Sequence, residues 1–176
     1  MGKLLGLALL TICIFAQGPK YHAGRPATPE EIKATDLFIA PDGTGLPPGK
    51  GTAADGRDTY SRRCARCHGA QGQGDEEGPV VGGTGTLKSA KPLKTVGSFW
   101  PYATTIYDYV RRAMPFDNPG LLNADQTYAV TALILHLNGI IGEKDEMNAQ
   151  TLPKVKMPNR DGFVGDNRPD TGKKKK

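Results

Sequence analysis

Apolar residues gather into three stretches with helical spacing, separated by long runs rich in Gly, Pro and charge. The first follows Thr52-Ala53-Ala54-Asp55, where a hydroxyl residue with a carboxylate three places on can satisfy two free amides at a helix start. It predicts a helix to about Arg63, with Gly56 and Tyr60 stacked on one face at i, i+4. The second runs from Ala103 to Ala113, with Ile106, Tyr109, Val110 and Ala113 as its apolar face, and Pro115 ends it. The third opens at Asn123, with Gln126 three residues on, turns Tyr128, Ala132 and Leu135 inward, and closes at Gly139. The pattern predicts an all-α domain over residues 51–142, about three helices joined by long loops.

The flanks read differently. Residues 18–50 carry Pro19, Pro26, Pro29, Pro41, Pro47 and Pro48 and predict an extended arm, with a short helix near Pro29 to Asp36. Residues 143–176 predict a wrapping tail with a disordered lysine end. Both flanks hold apolar anchors (Leu37, Phe38, Ile39, Val155, Met157, Phe163) that disordered chains usually lack, so both are expected to pack on the domain or on a partner. Residues 1–17 read as an export signal: Lys3, the apolar run Leu4 to Phe15, then the small residue Ala16. That run is shorter than the roughly 20 residues of a membrane-spanning helix. The signal predicts a periplasmic or otherwise exported protein, which would meet a membrane surface only if the signal stayed uncleaved.

Composition sharpens this picture. Hydrophobic residues make up 38 % of the 176, beside 23 Gly and 14 Pro, so the chain is loop-rich and a buried cofactor would help fill its core. The net charge of +5 resides in Lys3 and Lys173 to Lys176, and the body between is neutral. Nucleic-acid binding needs a basic stripe on a folded face, and the sequence offers none.

Of three cysteines, Cys13 falls in the signal, leaving Cys64 and Cys67. Cys64-Ala65-Arg66-Cys67-His68 is a c-type haem attachment sequence. Two thiols at i and i+3 on one turn can reach both vinyl groups of a porphyrin, and the adjacent histidine is carried beneath the iron. A zinc half-site or a redox disulfide are the alternatives. Zinc would need two more ligands, and only His22 and His136 remain as nitrogen donors. No internal repeat is present, so one covalent haem c is expected.

His68 and Met114 are the expected metal ligands. Met114 lies where the second helix meets a loop, and a Met opposite the His closes the iron and raises its potential. His136, Met147 and Met157 are rivals for that position. Pro79 is expected to serve the proximal side, its carbonyl accepting from the free ring nitrogen of His68. Trp100, Tyr102, Tyr107 and Tyr109 crowd the approach to Met114, and Trp100 is expected at the haem border. Lys88, Lys91, Lys94, Arg111 and Arg112 could ring the exposed edge with positive charge, opposite Asp75, Glu76 and Glu77.

These residues resemble class I cytochromes c. From Val96 to Pro115, and again over Leu137 to Ile141 and Leu152 to Phe163, the chain is similar to the cytochrome subunits of bacterial sulfite dehydrogenases and of sulfur dehydrogenase in the thiosulfate-oxidising system. The arm extends the likeness through Gly24 to Pro29 and Pro41 to Gly49. The resemblance implies the class I fold wrapped around one haem and a molybdenum-containing dehydrogenase subunit as electron donor. One departure stands out: this chain has one haem motif, whereas some sulfur dehydrogenase cytochrome subunits carry two. Because nothing in it resembles a molybdenum domain, the resemblance implies that the oxidation is done by the partner and that this chain has no catalytic site. A general shuttle to a terminal oxidase, or a haem enzyme or sensor with an open distal position, are the other readings.

Overall fold

A computed structural model describes residues 23–166 of the chain. The export-signal reading of residues 1–17, with Cys13, and the lysine end lie outside them. The chain divides into two compact units, one ending at Thr35 and one beginning at Asp36. In the first, the helix α1 (Pro29–Thr35) buries none of its residues. Its start is closed by Thr28 and Glu31: the Glu31 amide donates to Thr28 Oγ1 at 3.2 Å, and the Thr28 amide to Glu31 Oε2 at 2.8 Å. Arg25 grips the same carboxylate through two guanidinium nitrogens, and this charged hydrogen bond, with the Thr28 amide, holds the Glu31 pKa near about 2.

The second unit is built on a crossing of two helices, α2 (Ala53–Arg63) and α5 (Ala124–Leu137). Both start with reciprocal caps. In α2, Thr52 accepts from the Asp55 amide while Asp55 accepts from the Thr52 amide; Asn123 and Gln126 do the same for α5. The crossing is close because both facing residues are small. A Cβ on Gly56 would lie 2.6 Å from the Ala129 carbonyl carbon, and one on Gly51 would lie 2.6 Å from the Ala129 amide nitrogen. The residues Thr127 to Leu135 are buried without a break, so α5 is covered on every side rather than along one stripe.

The covering comes from three directions. The helix α4 (Ala103–Ala113) lays Ala103, Ile106, Tyr107 and Val110 against α5, with the Tyr107 and Tyr128 rings 4.4 Å apart. Here one residue differs from the sequence expectation. Tyr109 is 46 % exposed, and Tyr107 takes the buried position, because the true i, i+3, i+4, i+7 stripe runs 103, 106, 107, 110. The arm returns from the second side: Ile39 is buried, Tyr128 donates to the Pro47 carbonyl at 2.9 Å, and the Lys50 amide donates to Asp125 at 2.8 Å. The tail closes the third. Met147, Leu152 and Met157 are buried, Asn159 donates to the Phe99 carbonyl at 2.8 Å, and Arg160 lies 4.4 Å from the Tyr102 ring centre.

Arm and tail meet in a two-residue antiparallel ladder that the sequence did not announce, β1 (Lys50–Gly51) against β2 (Met147–Asn148), with Lys50 opposite Asn148. Strands this short carry no alternating pattern. The remaining elements are a single turn α3 (Ala65–His68) and two 3₁₀ turns at Thr86–Lys88 and Leu152–Lys154. Among the described residues no helix is long and apolar enough to cross a membrane.

Candidate functional site

The chain leaves α2 at Cys64, whose φ of −121° breaks the helix, and restarts at once in the turn α3. The break points Cys64, Cys67 and His68 from one short turn, with the Cys67 and His68 amides both donating to the Cys64 carbonyl at 3.1 and 2.9 Å. Gly69 ends the turn at φ 78°, a left-handed conformation, and its carbonyl accepts from the buried Tyr60 hydroxyl at 3.1 Å. Tyr60 therefore ties α2 to the exit of the motif. Burial, with the neighbouring Cys64, pushes the Tyr60 pKa up to about 12.

The loop that follows folds back on the turn. The Gly74 amide donates to the His68 carbonyl at 2.7 Å and the Glu77 amide to the Cys67 carbonyl at 2.8 Å. This return delivers a backbone oxygen to the histidine ring, with His68 Nδ1 lying 3.0 Å from the Gly78 carbonyl. The acceptor is thus Gly78, not the Pro79 carbonyl expected from the sequence. Turn geometry favours the earlier residue, since the loop is anchored at Glu77 and comes abreast of the ring one residue on. Pro79 follows, with its fixed φ and no N–H, and stiffens the loop just beyond the acceptor.

The two thiols differ in setting. Cys64 packs against the core cluster, and burial, helped by the nearby Cys67, pushes its pKa up to about 11. Cys67 lies toward the acidic loop, its Sγ 3.7 Å from Glu76 Oε2. Neither thiol is joined to another cysteine in this structure. Among the described residues no three His, Cys, Asp or Glu side chains converge into an ion-binding group, and His22, one of the candidate zinc ligands, lies outside those residues.

Met114 caps the end of α4, its amide donating to the Val110 carbonyl at 3.1 Å, and Pro115 follows through a cis peptide. Cys64, Ala65, Trp100 and Met114 are all half-buried and pack against the same core cluster. Trp100 meets Tyr109 edge to face at 5.8 Å. Of the other candidates, Met147 and Met157 are buried in that same core cluster, and His136 Nδ1 sits 3.3 Å from the Ile141 carbonyl.

Of the charged residues, Lys88, Lys91 and Lys94 are exposed, and Lys94 lies 5.1 Å from the Phe99 ring centre. Arg112 is held by Asp108 one turn back, and Arg66 pairs with Glu76 at 3.5 Å. Sequence reasoning missed Gly78 as the ring acceptor, and it missed Asn138 and Thr95, which tie down the loop beyond it. Only position could have revealed them: Gly78 lies ten residues after His68, and Asn138 is a polar residue ending an apolar helix.

The comparisons agree with this geometry. The cytochrome c family model matches residues 53–138, from the start of α2 to the end of α5. No curated protein matches the chain. A chain in the crystal structure of the sulfane dehydrogenase SoxCD from Paracoccus pantotrophus matches with a TM-score of 0.78 and 42 % identity, over 88 % of this chain and 76 % of that one. An identity this high over most of both chains, joined to a family match that spans the helix crossing and the Cys-x-x-Cys-His turn, leads to one conclusion: the chain belongs to the cytochrome c family.

Proposed function

We propose that this chain is a single-haem electron-transfer protein or subunit with no catalytic site of its own. It takes electrons from a molybdenum-containing sulfite or sulfur dehydrogenase subunit and passes them to a downstream cytochrome c or terminal oxidase of the respiratory chain, in the periplasm. The likeness to a chain of a sulfane dehydrogenase supports the donor side. The observation that carries the haem reading is the His68 ring. Its Nδ1 is committed to the Gly78 carbonyl, which leaves Nε2 as the free coordinating atom.

The residues present fit haem c. Two unpaired thiols flank the same turn as the histidine, and Cys64 reaches the apolar cluster where a porphyrin face would lie. When bound, haem c supplies one reversible electron step. Cys64 and Cys67 would hold it through thioethers, and His68 would be the proximal ligand. The hydrogen bond from His68 Nδ1 to Gly78 fixes the tautomer and makes the ring a stronger donor. Met114, with its thioether at the end of α4, would be the distal ligand and close the iron to exogenous molecules. Pro79 stiffens the acceptor loop, and Trp100, packed on the same core cluster as Met114, would border the cofactor.

Replacing Met114 with Ala tests the ligand set. The variant is expected to keep its covalent haem on denaturing gels, lose the weak near-infrared sulfur-to-iron band and fall in potential. An unaltered spectrum would move the distal ligand to another residue and reopen the reading.

A further inference from the structure

We infer that Asn138, at the far end of the domain's last helix, is a positioning residue for the proximal histidine: it clamps the loop that holds the Gly78 carbonyl on His68. The inference rests on the proposed role of His68 as iron ligand. Gly78 itself is exposed, and an ideal Cβ there would find nothing within 4 Å, so no neighbouring side chain packs on it to fix its carbonyl. Its position is set by its flanks. Upstream, the Glu77 amide is bound to the Cys67 carbonyl at 2.8 Å. Downstream, residues 80 to 82 are held from three directions.

The Val80 and Val81 amides both donate to the Gly72 carbonyl at 2.9 Å, which joins the loop to its own base. Thr95 Oγ1 donates to the Gly82 carbonyl at 2.5 Å. The third hold is Asn138, which uses both ends of its carboxamide. Nδ2 donates to the Val80 carbonyl at 3.2 Å and to the Ile134 carbonyl at 2.9 Å, while Oδ1 accepts from the Gly82 amide at 3.0 Å. A carboxamide is the side-chain group that can donate twice and accept at the same time in this arrangement. The fit is close, because a Cβ on Gly97 would lie 2.8 Å from Asn138 Cγ, so the amide is boxed against the 95–98 turn.

Asn138 therefore references the histidine loop to α5, the most deeply buried helix, rather than to the loop's own flexible length. The chemistry follows from the strength of the His68 to Gly78 bond. A firm acceptor gives the ring partial imidazolate character, strengthens its donation to the iron and stabilises the oxidised state. Loosening residues 80–82 weakens that bond and raises the potential.

The test uses the haem-loaded protein with Asn138→Asp, Asn138→Leu and Thr95→Val, read by redox potential and by solvent exchange of the His68 Nδ1 proton in the reduced state by NMR. Asp keeps the acceptor for Gly82 and loses the donor to Val80, so it remains informative if Leu fails to fold. The expected result is a potential above wild type for the neutral variants, larger for Leu than for Thr95→Val, and ring-proton exchange faster by roughly tenfold in all three. Asp is read by exchange alone, because its added charge lowers the potential independently. Variants that melt earlier yet keep the wild-type potential and exchange rate would reduce Asn138 to an ordinary helix cap and overturn the inference. A wild-type spectrum without ring-current-shifted His68 ring protons would instead overturn the ligand assignment, and the inference with it.

Discussion

Replacing Gly56 with Ala puts the helix crossing to a quantitative test. The added Cβ would lie 2.6 Å from the Ala129 carbonyl carbon and 3.1 Å from the Val130 amide nitrogen. Both obstacles are backbone, so neither can swing aside. Carbon atoms rest at about 3.5–4.0 Å, and α2 and α5 must therefore part by about 1 Å where they cross. Overpacking of this kind costs about 1–3 kcal/mol, and the upper end applies because two buried helices must move together. Alanine returns about 1 kcal/mol through its better helix propensity. The net loss is about 2 kcal/mol, which for a chain of this size lowers Tm by about 4–8 °C. Thermal unfolding of the haem-loaded protein by circular dichroism measures it, with Ser61→Ala as the control on an exposed position of the same helix. That control should stay within about 0.5 kcal/mol of wild type. A Gly56→Ala protein that melts at or above wild type would refute the account, since propensity would then outweigh the close approach.

Two further outcomes follow from titrating groups. The Thr52 hydroxyl and amide hold the Asp55 pKa below 3.8, so the stability it adds is complete above the unfolded value and lost as pH falls through the lowered one. Asp55→Ala should cost about 1 kcal/mol at neutral pH and converge with wild type in strong acid; a gap that persists there would contradict the cap. Burial raises Tyr128 to about 12, so its contribution is full below the ordinary tyrosine value and disappears as pH rises through about 12. Tyr128→Phe removes the bond to the Pro47 carbonyl and should cost about 1 kcal/mol, while an ultraviolet titration should lose one late-ionising phenol; an unchanged titration would mean Tyr128 is not the protected group.

Local chemistry decided what was legible in the sequence. Thr52 with Asp55, and Asn123 with Gln126, satisfy their own helix starts within one turn, so the spacing alone located α2 and α5. The attachment motif is likewise one turn long. The features that stayed hidden depend on partners far apart in the chain. The ladder between β1 and β2, the choice of Gly78 over Pro79, and the hold of Asn138 on Val80 all form only after α5 has been placed. Tyr109 was misplaced for a related reason: two tyrosines flank Asp108 on α4, and only the position of α5 decides which one turns inward.

The meeting of Lys50–Gly51 with Met147–Asn148, beside the crossing of α2 and α5, joins the two ends of the domain rather than neighbours in sequence. Such a topology has high contact order, and closing it must wait until nearly the whole domain has been made. As the polypeptide emerges with its N-terminus first, the Cys64 to His68 turn is synthesised long before the partner that will bury Cys64. Until α5 packs against α2, the turn lacks the cluster that half-buries Cys64. The domain-closing contacts therefore form last, after the Cys64 to His68 turn is already complete.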